Sequence, residues 1–217
     1  MDAMSTVRTL EDRAAVRDDA IAALRDARLV VMPTDTVYGV VADAFSPKGT
    51  MALRDAKGLA PTAPLTVLIR SPRQVSGLVS EIPEAGDRLM ASYWPGPLTL
   101  VLPAADGLSW DVGTRTSVAL RMPTDEFLLE VIADVGPLVC SAAGRPVDEP
   151  PHTVEDAREA LGDHVALYVD DGVRDGAWST IVDLTRDHAL VLREGAVAGD
   201  DVELVAAGRV GWGKVPE

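Results

Sequence analysis

Short apolar runs alternate with helix-period segments from one end of this chain to the other, and most runs are closed by a proline or a glycine. That order leaves little choice of architecture, because the runs must pair as strands and the periodic segments must lie on the sheet they form. Residues 10–27 place apolar side chains at helical spacing, with Thr9 as a candidate cap and Asp12 three residues on. Leu29–Met32 is a strand stopped by Pro33. Ser46-Pro47 starts a helix that should reach Lys57, where Gly58 and Pro61 end it. Residues 64–69 form a strand, Ser71-Pro72 opens another helix, and residues 83–93 are helical. Trp94-Pro95-Gly96-Pro97 turns the chain into a strand at 98–102. Strands at 117–121 and 138–141 flank a helix at 125–133, and Thr153 caps a further helix before strands at 165–169, 179–184 and 189–192. Tight connections mixed with helical crossovers predict an α/β fold with a twisted, open, mixed sheet flanked by helices. In 217 residues without repeat or linker, one domain over 9–200 is expected, with 201–217 as a C-terminal tail.

Aromatic residues make up only 4% of the chain, so Val, Leu, Ile and Ala must fill the core. No apolar run approaches the roughly 20 residues that span a bilayer, and no membrane partner is expected. The first ten residues lack a basic start and an apolar stretch, and a single cysteine, Cys140, precludes an intrachain disulfide; both point to the cytoplasm. Acidic residues number 34 against 20 Lys and Arg, a formal net charge of −14. So negative a chain repels nucleic acid at long range, which disfavours direct nucleic-acid binding. Lys48, Lys57 and Lys214 are the only lysines, so arginine carries most of the positive charge, and where the few cations gather decides which anion can be held.

The densest group of reactive side chains is Pro33-Thr34-Asp35-Thr36-Val37-Tyr38-Gly39, directly after a strand. Open α/β sheets place their ligands at strand ends, so two hydroxyls, a carboxylate and a phenol there form a candidate site. By spacing alone the same stretch is equally a polar turn in which Thr34 and Asp35 satisfy the backbone. The stretch reproduces a PTDT-x-YG signature, and further segments follow in order: Lys57-Gly58, Pro64-Leu65, Trp94-Pro95-Gly96-Pro97-Leu98-Thr99, Ser117-Val118-Ala119-Leu120-Arg121, Ser179-Thr180-Ile181-Val182-Asp183, and Arg193 in an R-x-G element. On these motifs, from about Val30 to Val197, the chain resembles the YrdC-like family, the threonylcarbamoyl-AMP synthases.

The resemblance implies a YrdC-like fold and a nucleotidyltransferase that joins threonine, bicarbonate and ATP into threonylcarbamoyl-AMP and releases pyrophosphate. It implies Mg²⁺ with the ATP, and a downstream tRNA-modifying complex that uses the product for threonylcarbamoyladenosine. It assigns Thr34, Thr36, Tyr38 and Ser179 to the amino-acid substrate, Lys57, Arg121 and Arg193 to catalysis, and Ser141 with those cations to the nucleotide; Arg145, outside the family's motifs, is added to the nucleotide set as a compensating cation. Leaving pyrophosphate concentrates negative charge, which arginine meets with bidentate contacts and lysine with a movable point charge. Taken singly, each arginine reads as a surface ion pair. No protein metal site is expected, since His152, His164 and His188 are not spaced as ligands. Cys140, with no histidine base near it in sequence, reads as a core thiol.

The pattern is broken at two places. Leu59 stands where K-x-R would put arginine, and Cys140-Ser141-Ala142-Ala143-Gly144 replaces an S/T-x-S-A-N segment, with Arg145 and Pro146 following. Arg145 either restores the lost cation or is a plain surface arginine. These departures motivate an alternative, a repurposed paralogue that binds nucleotide without making the adenylate; a double-stranded RNA-binding protein is the third reading, opposed by the net charge. Residues 208–214 imitate a P-loop, but Val215 stands where Ser or Thr would hold Mg²⁺, and no helix can follow.

Overall fold

Leu29-Val30-Val31-Met32 is wholly apolar because it is buried on both faces. In the computed structural model, which describes residues 5–113, 115–145 and 151–209, this strand sits inside a mixed sheet. Its side chains alternate between two cores: Leu29 and Val31 face one, Val30 and Met32 the other. The described strands are β1 (Thr6–Thr9), β2 (Leu29–Met32), β3 (Gly39–Asp43), β4 (Thr66–Leu68), β5 (Leu98–Pro103), β6 (Ser117–Arg121), β7 (Leu138–Ala142), β8 (Val165–Asp170), β9 (Thr180–Asp183) and β10 (Leu190–Arg193). Their order across the sheet is β1-β8-β2-β3-β7-β4-β6-β5-β9-β10. The pairs β1–β8, β2–β8, β4–β6 and β5–β9 are parallel and the others antiparallel, which is the mixed sheet expected from the sequence.

Helices cover both faces. On one face α1 (Arg13–Arg25) and α4 (Glu126–Val135) pack Val16, Leu24, Phe127 and Val131 against Val30, Val41 and Leu138. On the other lie α2 (Pro47–Ala56), α3 (Glu84–Tyr93), α5 (Val154–Leu161) and α6 (Gly199–Ala206), over a larger core built around Val31, Leu100, Leu120 and Val182. Their starts are written locally. Ser46 Oγ accepts from Gly49 N with Pro47 in the first turn, Asp125 caps α4 through Leu128 N, and Thr153 and Asp156 form a reciprocal capping box at α5.

Several local expectations need correction. The first helix begins at Arg13, and its cap is Asp12, which accepts from Ala15 N; Thr9 makes no capping bond because it ends β1 in extended conformation. The segment after Ser71 is a 3₁₀ stretch, Pro72–Gly77, squeezed between that cap and the pairing of Val79 with Ala104. Two strands and a helix went unforeseen: β1, β3 and α6. Since β1 starts at Thr6 and α6 runs through residue 201 to Ala206 with Val202 and Val205 buried, both limits of the 9–200 domain cut through an element. The P-loop-like residues from Val210 onward, Pro146 and the rest of 146–150 lie outside the described residues. No described helix is long and apolar enough to cross a membrane.

Candidate active site

The signature turn between β2 and β3 is held by one hydroxyl. Thr34 Oγ1 donates to Val37 O (2.7 Å) and accepts from Thr36 N (3.1 Å) and Val37 N (3.2 Å). The two threonine hydroxyls lie 3.0 Å apart. Thr34 thus closes the loop, and it also lines the cleft described below. Tyr38 likewise lines the cleft, and its phenol donates to Gly172 O (2.7 Å) and accepts from Asp171 N (3.0 Å), so it ties the turn after β8 to the signature. Burial pushes that phenol's pKa up, and it stays protonated. Thr36 is nearly buried, with its oxygen accepting from Arg121 Nη1 at 3.3 Å.

Arg121 ends β6 and is fixed from three sides. Besides Thr36, its Nε donates to Gly96 O (3.1 Å), and its Nη2 lies 2.8 Å from Asp35 Oδ2. The Asp35 pair is close but not aligned as a hydrogen bond, and neither carboxylate oxygen has another partner among the described residues. The Trp-Pro-Gly-Pro turn thus has a structural reason. It presents Gly96 O to Arg121, its Pro97 O accepts from Thr180 N (2.9 Å), and Trp94 Nε1 closes it onto Leu98 O (2.7 Å).

Arg193, at the end of β10, donates from Nε and Nη2 to Ser179 O (3.1 and 2.9 Å) and from Nη2 to Ser179 Oγ (3.1 Å). Its guanidinium lies 5.3 Å from the ring centre of Trp178, and Ser179 Oγ is also 3.1 Å from Thr99 Oγ1. The glycine of R-x-G is explained here, since a Cβ at Gly195 would collide with Trp178 O and crowd the Ser179 backbone. Burial first, and then the positive charge of Arg121, hold the Arg193 pKa below its usual value. Two cations that repel across one space are relieved by an anion between them.

Lys57 is the C-cap of α2, and its ammonium reaches the end of β7, donating to Ala142 O (2.8 Å) and to Gly144 O. Ser141, paired in β7 opposite Val40, faces the same space. These groups line one cleft of about 520 Å³, in the size range of small-ligand sites. Arg145 is on its rim, exposed, with no hydrogen bond or ion pair among the described residues. Leu59 and Ala142, the departures from the motif pattern, are in its wall, so the missing arginine and hydroxyl would have faced this cleft. Among the described residues no Asp or Glu lines the cleft, and no group of three or more His, Cys, Asp or Glu could hold a metal. Cys140 borders it with its thiol pushed up to about 12, chiefly by burial, so it is protonated and inert near neutral pH.

Sequence reading located Thr34, Thr36, Tyr38, Lys57, Ser141, Arg121, Arg145, Ser179 and Arg193, which the fold does bring together. It missed Trp178 and Thr99, although each adjoins a quoted motif or lies at its end, and it gave Asp35 no settled role.

A cleft where strand ends converge, walled among the described residues by hydroxyls and cations without a carboxylate, marks an α/β protein whose site suits a small, strongly anionic ligand. The family model for Sua5, YciO and YrdC, described as "Telomere recombination", matches residues 22–195, and the chain belongs to this family. It is 43% identical over 185 residues to a "Putative threonylcarbamoyl-AMP synthase" of Mycobacterium tuberculosis, covering 84% of this chain and 85% of that one. The crystal structure of P. abyssi Sua5 complexed with L-threonine superposes with a TM-score of 0.81 at 31% identity, over 93% of this chain; this chain spans 60% of that protein's length. E. coli YciO, at 20% identity over 93% of this chain, shares the fold with a TM-score of 0.81.

Proposed function

We infer that this protein is a threonylcarbamoyl-AMP synthase: it joins threonine, bicarbonate and ATP into threonylcarbamoyl-AMP and releases pyrophosphate. The observation that carries the reading is the convergence of Lys57, Arg121 and Arg193 on one cleft beside Thr36, in a chain 43% identical to a relative bearing that name. Family membership brings ATP as a substrate, and the threonine complex of the P. abyssi relative supports threonine as another.

Arg121 and Thr36 are assigned to the carboxylate and carbamate of the substrate. Arg121 is already aimed by Gly96 O and Asp35, so little reorientation is needed when an anion arrives. Ser179 and Arg193 take the nucleotide side, with the flat guanidinium supported on Trp178. Lys57 holds the end of β7, where Ser141 and Arg145 would meet the phosphates. The carbamate oxygen attacks the α-phosphate in line, the bond to the β-phosphate breaks, and the cations neutralise the charge that collects on pyrophosphate. Mg²⁺ fits this site as a passenger of the triphosphate, since the wall supplies hydroxyls and cations but no carboxylate; it would add further neutralisation of the leaving group. Bicarbonate as the carbon source, a downstream tRNA-modifying complex as the consumer of the adenylate, and a cytoplasmic setting complete the proposal. The test is pyrophosphate release by the purified chain with each substrate omitted in turn. Release should require threonine and bicarbonate together, with threonylcarbamoyl-AMP seen by mass spectrometry; release with ATP alone would overturn the reading.

A further inference from the structure

Arg54 is fully buried in α2, one turn before Lys57, and it is the largest of the fully buried side chains. Burying a guanidinium is costly unless its N–H groups are met, and here they are met by two separate pieces of chain. Nε donates to Ala63 O (3.0 Å), Nη1 to Asp111 Oδ2 (2.9 Å) and Nη2 to Asp111 O (3.1 Å). The first piece, residues 58–65, is coil, and its Leu59, Pro64 and Leu65 line the cleft. The second, around 110–113, backs it: Leu65 N donates to Val112 O at 2.8 Å. Gly113, at φ +129°, lies so close that a Cβ there would sit 2.5 Å from Pro64 Cα. Few backbone bonds among the described residues hold this coil, namely Gly58 N to Asp55 O, Leu59 N to Arg54 O, Ala63 N to Ala60 O, and the bond to Val112. Arg54 is the one side chain among the described residues that bonds both the coil and its backing.

We propose that Arg54, clamped to Ala63 and Asp111, is a positioning residue that sets the apolar wall of the cleft and thereby the affinity for ATP. This rests on the synthase reading for the identity of the ligand. A wall of Leu59, Pro64 and Leu65 touches the substrate alike before and during the reaction, so loosening it raises KM and leaves kcat nearly unchanged. A role confined to stability does the reverse: fewer molecules are folded, so apparent kcat falls and KM stays.

Asp111 is half exposed, so Asp111→Asn weakens the clamp from the wet side and keeps the core and the Asp111 carbonyl contact. Arg54→Gln removes the clamp outright. Hydrogen exchange by mass spectrometry should show faster exchange at 59–65 and 110–113 in Asp111→Asn, with α1 unchanged. ATP affinity by calorimetric titration, and KM for ATP in the pyrophosphate assay, should weaken by about three- to tenfold for Asp111→Asn, and further for Arg54→Gln if it folds. Unchanged exchange at 59–65 would overturn the clamp, and faster exchange with ATP affinity and KM unmoved would overturn its bearing on the site. A wild type that binds ATP but makes no adenylate would count against the synthase reading alone, since exchange and titration still judge Arg54.

Discussion

Arg145 stands apart from the other cations of the cleft, because Lys57, Arg121 and Arg193 each grip the protein itself whereas Arg145 has no partner among the described residues. An arginine so placed can follow a phosphate as it leaves. Losing one charge-assisted contact is worth roughly 1.5–3 kcal/mol, so Arg145→Ala should lower kcat/KM by about one to two decades. Adding Leu59→Arg to that variant should restore part of the loss from another point on the cleft lining, and a synthase assay on the three proteins checks it. Activity unmoved by Arg145→Ala would make Arg145 a surface residue. At this scale the sequence told residue type and neighbourhood but not hydroxyl use. Thr34 and Thr36 look equivalent in the motif, yet backbone geometry saturates one and leaves the other facing Arg121. Tyr38 finds its partners 133 and 134 residues away, where no local pattern could point.

Helix starts were the elements best read from sequence, because a cap is a local bond. At α5 Thr153 Oγ1 accepts from Asp156 N (3.1 Å), while the Asp156 carboxylate accepts from Thr153 N (2.9 Å) and His152 N (3.1 Å). The Thr153 side chain first, and those backbone donors next, hold the Asp156 carboxyl below its ordinary value. A carboxylate lowered in the folded state lends stability above its unfolded pKa, and that stability is lost as pH falls through the folded value. Asp156→Ala should therefore cost at most about 1 kcal/mol at neutral pH, discounted for exposure, and wild type and variant should converge below about pH 4. Thermal melts across that range check it, and a constant gap would deny the carboxylate its role. The elements missed were those without a local signature. β3 is central and buried, and its Gly-Val-Val-Ala run was absorbed into the motif before it. At α6 an acidic first turn obscured a helix whose Val202 and Val205 pack into the core.

At the scale of the molecule, net charge and cleft lining differ in sign: −14 overall, with cations and no Asp or Glu among the described residues that line the cleft. Bound ATP should relieve the repulsion between Arg121 and Arg193 in the folded state only, so it should stabilise. At 100 times its dissociation constant the gain is about 2.7 kcal/mol, or several degrees in melting temperature for a chain of this size. AMP, lacking the outer phosphates, should shift it less, and no shift with millimolar ATP would remove the nucleotide from the cleft.

The spread of the site along the chain bears on the protein's own synthesis. Thr36 belongs to the first fifth of the sequence, and Ser179 and Arg193 to the last, on strands that join the sheet only by pairing with β5 and with each other. A growing chain carries its signature loop long before the strands that complete the cleft leave the ribosome. On the proposed reading the nucleotide side of the cleft is incomplete until residue 193 emerges, so ATP should not assist the nascent chain before then. Of the early strands, β1 pairs with β8 alone and must wait for it, whereas β2 can pair at once with β3 and gains its second neighbour when β8 is made.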